Sequence, residues 1–165
     1  MKIDFSTFHA SDYKYDSGLY GTITVDDGGV QREIEVEICS DINSKIDESS
    51  KEELQFFADN YEKYREIYLD ALLSYYQELR LDLGYYTEEE VDGYPYITTV
   101  EQLIETIKFT GIIIHDEKRN GHHAIGLYFD STWEEEHGAG VLMAGYEVID
   151  TGNFDHAYYA YALHG

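Results

Sequence analysis

Residues 32–38 alternate strictly, with Ile34, Val36 and Ile38 in one parity and Glu33, Glu35 and Glu37 in the other. A period of two is the mark of a strand buried on one face and solvated on the other. Upstream, Tyr20-Gly21-Thr22-Ile23-Thr24-Val25 runs into Asp26-Asp27-Gly28-Gly29, so the two stretches read as a hairpin. Beyond Ser49-Ser50 the period changes: Leu54, Phe57, Tyr61, Tyr64, Tyr68, Leu72, Tyr75 and Leu79 recur in steps of three and four, which is one face of a helix. Ser50 with Glu53 three residues on predicts a capping box at its start. A helix over residues 51–80 would extend ~45 Å at 1.5 Å per residue. That exceeds the width of a compact domain of this size, so a kink, a break or a projecting end is expected.

Residues 84–96 read as an acidic and aromatic loop containing Pro95, after which Thr99 caps a short helix whose apolar positions are Leu103, Ile104 and Ile107. Ile112-Ile113-Ile114 is apolar on both faces and predicts a central strand within residues 108–115. Asn120-Gly121 turns it back into a strand over 124–130. Residues 140–144 and 147–151 form a further hairpin about Gly145-Tyr146. The pattern predicts an α+β fold, a largely antiparallel sheet with one long amphipathic helix and a short helix packed on one face. No Pro- or Gly-rich linker interrupts it, so residues 1–165 are expected to form a single domain.

Charge narrows the partners. The chain carries 34 acidic against 11 basic residues, a formal charge of -23. Nucleic acid and anionic membranes would meet like charge, which leaves a basic protein, a cation, or a charge that serves only solubility. Cys39 is the only cysteine, so an intrachain disulfide is excluded and a reducing, cytoplasmic setting is expected. It shares the parity of the glutamates near a strand end, with no cation or helix start beside it to activate a thiol. No apolar run is long enough to span a membrane. Of 17 tyrosines, four (Tyr61, Tyr64, Tyr68 and Tyr75) fall in the helical stripe; clusters occur at Tyr75-Tyr76, Tyr85-Tyr86, Tyr94 with Tyr96, and Tyr158-Tyr159 with Tyr161, a supply of amphipathic side chains suited to an interface.

Residues 120–165 hold five of the seven histidines and no lysine or arginine. Within them, Asp130-Ser131-Thr132-Trp133-Glu134-Glu135-Glu136-His137-Gly138 is the candidate functional loop, with Asp130, Trp133, Glu134, Glu136, His137 and Gly138 as its candidate residues. Carboxylates with an imidazole suit a divalent metal, and Asp130, Glu136 and His137 are the candidate ligands, although the spacing matches no standard zinc pattern. His122 and Asp130 share a strand face but lie ~26 Å apart along it, too far to meet. Paired carboxylates could do acid–base work there, but the acids show no contrast in environment. Ser131 and His137 lack a nucleophile elbow or an oxyanion hole, and Gly138-Ala139-Gly140 lacks the context of a phosphate loop. On the structural reading, Trp133 lids a sheet edge, His137 fixes the loop through a carboxylate, and the glycines serve a turn. No resident cofactor is expected unless that metal binds.

Tyr20-Gly21-Thr22-Ile23, Ile112-Ile113-Ile114-His115, and above all Gly126-Leu127-Tyr128-Phe129-Asp130 leading to Trp133-Glu134-Glu135-Glu136-His137-Gly138-Ala139-Gly140-Val141 resemble a family of small, uncharacterised bacterial proteins. Its signature is similar to Phe-Asp-Cys-x-Trp-Asp-x-Glu-His-Gly-x-Gly-Val, which places its Trp and Glu-His-Gly on Trp133, Glu136, His137 and Gly138. This chain departs at Ser131, where the signature has cysteine, and at Glu134, where it has aspartate. The resemblance implies a bacterial cytoplasmic domain of unknown function and no particular reaction.

Three functional expectations follow. The preferred one is an acidic protein-binding module, of immunity or inhibitor type, covering a basic partner. The alternatives are a metal-assisted or acid–base enzyme centred on the Trp133 loop, and a purely structural domain.

Overall fold

The computed structural model of the chain describes residues 2–12, 18–39 and 45–158. Seven strands form one sheet in chain order: β1 (His9–Ala10), β2 (Leu19–Asp27), β3 (Val30–Ile38), β4 (Ile107–Arg119), β5 (His122–Ser131), β6 (Ala139–Ala144) and β7 (Glu147–Gly152). Every neighbouring pair is antiparallel except β3 and β4, where Val36 lies opposite Ile112 and Ile38 opposite Ile114. A parallel neighbour needs a crossover. The helices are that crossover, since α1 (Glu48–Asp59), α2 (Tyr61–Asp82) and α3 (Val100–Ile104) all fall between β3 and β4. The fold is therefore α+β with a mostly antiparallel sheet, one strand larger than the sequence pattern suggested because the two-residue β1 carries no period of its own.

Of the kink, break or projecting end expected in the helix over 51–80, the structure has a break: it is two helices, parted at Asn60 with φ -118 and ψ 23. Asn60 caps the first helix from its own side chain, Nδ2 donating to Phe56 O at 2.9 Å. Asparagine competes for the backbone in this way, which is why it ends helices more readily than it continues them. The start differs as well. Asp47, not Ser50, is the N-cap, its carboxylate accepting the Ser50 N–H at 2.8 Å. Ser50 is buried, and Glu53 turns toward the sheet to accept the His123 N–H at 2.7 Å. At the short helix the expected cap Thr99 is present, and with Gln102 it forms a reciprocal capping box that the sequence reading did not name.

The stripe read from the sequence is core. Tyr61, Tyr64 and Tyr68 are buried and Tyr75 is half-buried. Tyr61 stacks on Phe109 with centroids 5.8 Å apart, and Tyr68 meets Phe129 at 5.0 Å. Each fully buried side chain of this size stabilises the fold by about 1.5–3 kcal/mol. Ile34, Val36, Ile38, Ile112, Ile114, Ile125, Leu127 and Val141 complete the same core from the strands. The Tyr61 and Tyr68 phenols are satisfied by a network at the hairpin end, whereas the Tyr64 hydroxyl is buried with no hydrogen-bond partner among the described residues: Tyr61 donates to Asp27, Tyr68 lies 2.6 Å from the Tyr61 hydroxyl, and Asp27 also receives Arg32 at 2.8 Å and Arg65 at 2.9 Å. Tyr61 has its one proton on Asp27, so Tyr68 donates to Tyr61.

The opposite face of the sheet is crossed by a 3-10 turn, Phe154–Tyr158. It can lie flat because Gly126 and Gly140 are bare beneath it; a Cβ at Gly126 would collide with the Ala157 carbonyl. His115 Nε2 donates to that same carbonyl at 2.8 Å. Tyr159, Tyr161 and His164, which the sequence singled out or counted, lie outside the described residues. Among the described residues no helix is long and apolar enough to cross a membrane.

Candidate functional site

The Trp133 loop is built inward. Thr132 N–H donates to Thr106 O at 2.9 Å and Trp133 Nε1 to Thr106 Oγ1 at 3.0 Å, which ties the loop to the start of β4. The indole is 4% exposed and packs against Tyr76 at 4.8 Å, with Tyr75 and Tyr94 at 6.3 Å. Ser131 Oγ donates to Glu134 O and accepts from Glu134 N–H, both at 3.1 Å. Glu134 Oε1 accepts the His137 N–H at 3.2 Å and faces His137 Nδ1 at 3.3 Å. Gly138 holds φ +54, and its N–H donates to Glu134 O at 2.8 Å. A side chain there would strike the Phe129 carbonyl. The His137 carbonyl in turn accepts from Phe154 N–H at 2.7 Å, fixing the entry to the 3-10 turn.

Of the candidate residues, then, Trp133, Glu134, His137 and Gly138 are brought together in one bonded turn, whereas Asp130 and Glu136 are exposed. Among the described residues no three of His, Cys, Asp or Glu are grouped to hold a metal ion, so Asp130, Glu136 and His137 are not a ligand set in this structure. Ser131 has its hydroxyl bonded to the Glu134 backbone as both donor and acceptor. Ser131, Glu134 and His137 engage polar atoms in holding the loop's own shape.

A second acid-rich region faces outward. Glu33, Glu35 and Glu37 lie across β2 from Thr24, Thr22 and Tyr20 on the face away from the helices. Glu33 and Glu35 are exposed and Glu37 half-buried. Around the last two lies a cavity of about 540 Å³ lined by His9, Tyr20, Thr22, Tyr128 and Tyr158 among others. Tyr20 donates to Glu37 at 2.8 Å and Tyr128 to Glu35 at 3.3 Å. Tyr128 and Tyr158 stack with centroids 6.4 Å apart. Burial raises the Tyr128 phenol, with Glu35 adding to it; Tyr158 is pushed up to about 12 by burial and then by Glu37 and Glu35. Both phenols are therefore neutral donors at pH 7, and their rings with two carboxylates make a site matched to a cation.

Several of the described basic residues are engaged elsewhere. Arg32 and Arg65 are on Asp27, Lys51 on Glu48 and Arg119 on Glu147. Arg80 is buried at the end of α2, donating to the Thr87 and Glu89 carbonyls. Lys63 sits over the Tyr146 ring at 4.3 Å. Among the described residues no lysine or arginine pairs with Glu33, Glu35 or Glu37. Sequence reasoning marked these glutamates only as a solvated strand face. The alternation was signal enough for their exposure, but Tyr128, 93 residues from Glu35, joins them only through the sheet. Cys39 is half-buried just past β3, its N–H donating to Ile114 O at 2.9 Å.

The tyrosines expected at an interface divide. Tyr76 is fully buried, donating to the Pro95 carbonyl, because it turns in toward Trp133 from the helix. Tyr86, Tyr96 and Tyr158 are exposed.

No curated protein and no solved structure matches the chain. A family model does, over residues 6–159, and its description is a domain of unknown function, DUF6985. That span contains all seven strands and three helices, so the chain belongs to the DUF6985 family.

Proposed function

We propose that this protein is an acidic, cytoplasmic protein-binding module, of immunity or inhibitor type, which covers a basic protein partner with the outer face of β2 and β3. The observation that carries this reading is the row Glu33, Glu35 and Glu37, three carboxylates that no lysine or arginine pairs with among the described residues, beside a tyrosine-lined cavity. Fixed carboxylates at alternate positions of a strand present charge every ~7 Å along one line. A basic segment laid along that line would gain attraction at long range and cation–π contacts with Tyr128 and Tyr158 at short range. The formal charge of -23 speeds encounter with a cationic surface and disfavours nucleic acid and anionic membranes. The lone cysteine supports the cytoplasmic setting.

Capture from host lysate at low salt tests the reading when the wild-type bait is compared with the triple variant Glu33→Gln, Glu35→Gln, Glu37→Gln. A basic protein released from the wild type at moderate salt and lost from the variant supports it. Equal retention of the same proteins by both baits contradicts it.

A further inference from the structure

The sequence offered no nucleophile–base pair, but the fold assembles one from residues 74 positions apart. Ser49 occupies the second position of α1, and its Oγ lies 2.8 Å from His123 Nε2 at the start of β5. The other ring nitrogen, Nδ1, lies 2.6 Å from the His115 carbonyl oxygen. A carbonyl can only accept, so Nδ1 carries the hydrogen. In the neutral ring Nε2 is then a bare acceptor, and the short contact is the Ser49 hydroxyl donating to it. These are the roles of a serine nucleophile and its general base, with a backbone carbonyl where a hydrolase triad has a carboxylate.

The surroundings hold this arrangement. His123 is 3% exposed, and its N–H is bonded to Glu53, itself 5% exposed, at 2.7 Å. The ring is thus fixed from its backbone and from Nδ1. Ser49 is only half-buried and lines an open cleft of about 200 Å³ with Glu52, Glu53, Phe56, Gly121 and His122. Asp47 Oδ1 is a second neighbour of the Ser49 hydroxyl at 3.3 Å, longer than the histidine contact, and that carboxylate is already bonded to Ser50 N–H. As the first residues of the helix, Glu48 and Ser49 have N–H groups with no intrahelical acceptor, which leaves two donors for an oxyanion beside the nucleophile. Glu52 makes the cleft anionic, Glu53 being engaged by His122 Nδ1 at 2.9 Å and by the His123 amide, and Phe56 gives it an aromatic wall.

We propose that Ser49 is a nucleophile activated by His123 and that this cleft hydrolyses small carboxylic esters bearing a cationic group. Ser49 Oγ bonds to the ester carbonyl carbon while its proton passes to His123 Nε2. The tetrahedral oxyanion collapses, the bond to the alcohol oxygen breaks, and that oxygen takes the proton from Nε2. Water then attacks the acyl-Ser49, giving its proton to Nε2. The Ser49 Oγ bond breaks, Oγ recovers the proton, and the acid leaves. The sum is ester and water to acid and alcohol. This site is separate from the β2–β3 face and does not depend on it.

The test uses the full chain with a tagged fluorophosphonate, which loses fluoride to an activated serine, followed by intact mass and peptide mapping. The expected result is one phosphonyl group per chain, on Ser49, absent from Ser49→Ala and slowed at least about a hundredfold in His123→Gln. Hydrolysis of the p-nitrophenyl ester of trimethylglycine should exceed that of p-nitrophenyl acetate, corrected for their uncatalysed rates. Because His123 is buried and its variant could unfold, Ser49→Cys in a Cys39→Ser background gives an independent reading. Its thiol should react with iodoacetamide at pH 7 at least about tenfold faster than an unassisted thiol. Absence of label on Ser49 in the folded protein, or a Ser49→Cys thiol of ordinary reactivity, would overturn the nucleophile. Equal catalysis of the two esters would overturn the assignment of a cationic substrate.

Discussion

The Trp133 loop and the β3 glutamate row are both acid-rich, yet they use their acids in opposite ways. In the loop, Glu134 accepts from His137, its backbone bonds Ser131 and Gly138, and Trp133 is sealed under three tyrosines. On β3, Glu35 and Glu37 accept only from tyrosine hydroxyls, and their charge has no partner of opposite sign among the described residues. A carboxylate that satisfies neighbouring donors contributes to stability. One left uncompensated on an open face contributes little to stability and more to association.

The comparison makes a graded series of outcomes, measured by chemical denaturation. Trp133→Ala removes a buried indole and should cost about 3–5 kcal/mol. Gly138→Ala forces a side chain into positive φ and against a backbone carbonyl, and should cost about 2–3 kcal/mol. Asp47→Ala removes an N-cap and should cost about 1 kcal/mol. The Asp47 case also carries a pH signature. Hydrogen bonds from Ser50 hold its carboxyl below the ordinary value, so its contribution is present above the unfolded value near pH ~4. It is lost as pH falls through the folded value, and a wild-type to Asp47→Ala difference that does not shrink below that pH would refute this origin. The triple glutamine variant of Glu33, Glu35 and Glu37 should stay within about 0.5 kcal/mol of wild type, since glutamine keeps an acceptor for Tyr20 and Tyr128. A large loss there would erase the distinction between the two regions.

Much of the fold was legible because its elements have clean periods. The β2–β3 hairpin, the Asn120-Gly121 turn with φ +53 and +82, and the β6–β7 hairpin follow from alternation and turn residues. The parallel β3–β4 pairing was not, because nothing in either strand's own pattern names its neighbour. The helix start was misplaced for a related reason: Ser50 and Glu53 fit a local box, but Glu53 is drawn to the His123 amide 70 residues away. For the site, the loop's composition attracts notice, while its bonding buries Trp133 and ties Glu134, His137 and Gly138 into one turn that leaves Asp130 and Glu136 exposed. Ser49 and His123 passed unremarked, since neither sits in a motif and only the docking of α1 on β5 brings them together.

The most direct test of the central claim is the affinity of an oligolysine peptide for three proteins at matched low salt. These are the wild type, the β3 triple variant, and a loop variant carrying Asp130→Asn, Glu135→Gln and Glu136→Gln, which changes the net charge equally at exposed positions. The β3 variant should bind at least about tenfold more weakly, a difference of about 1.4 kcal/mol, while the loop variant stays close to wild type. Equal weakening by both variants would contradict it, leaving net charge and not the β2–β3 face as the source of binding.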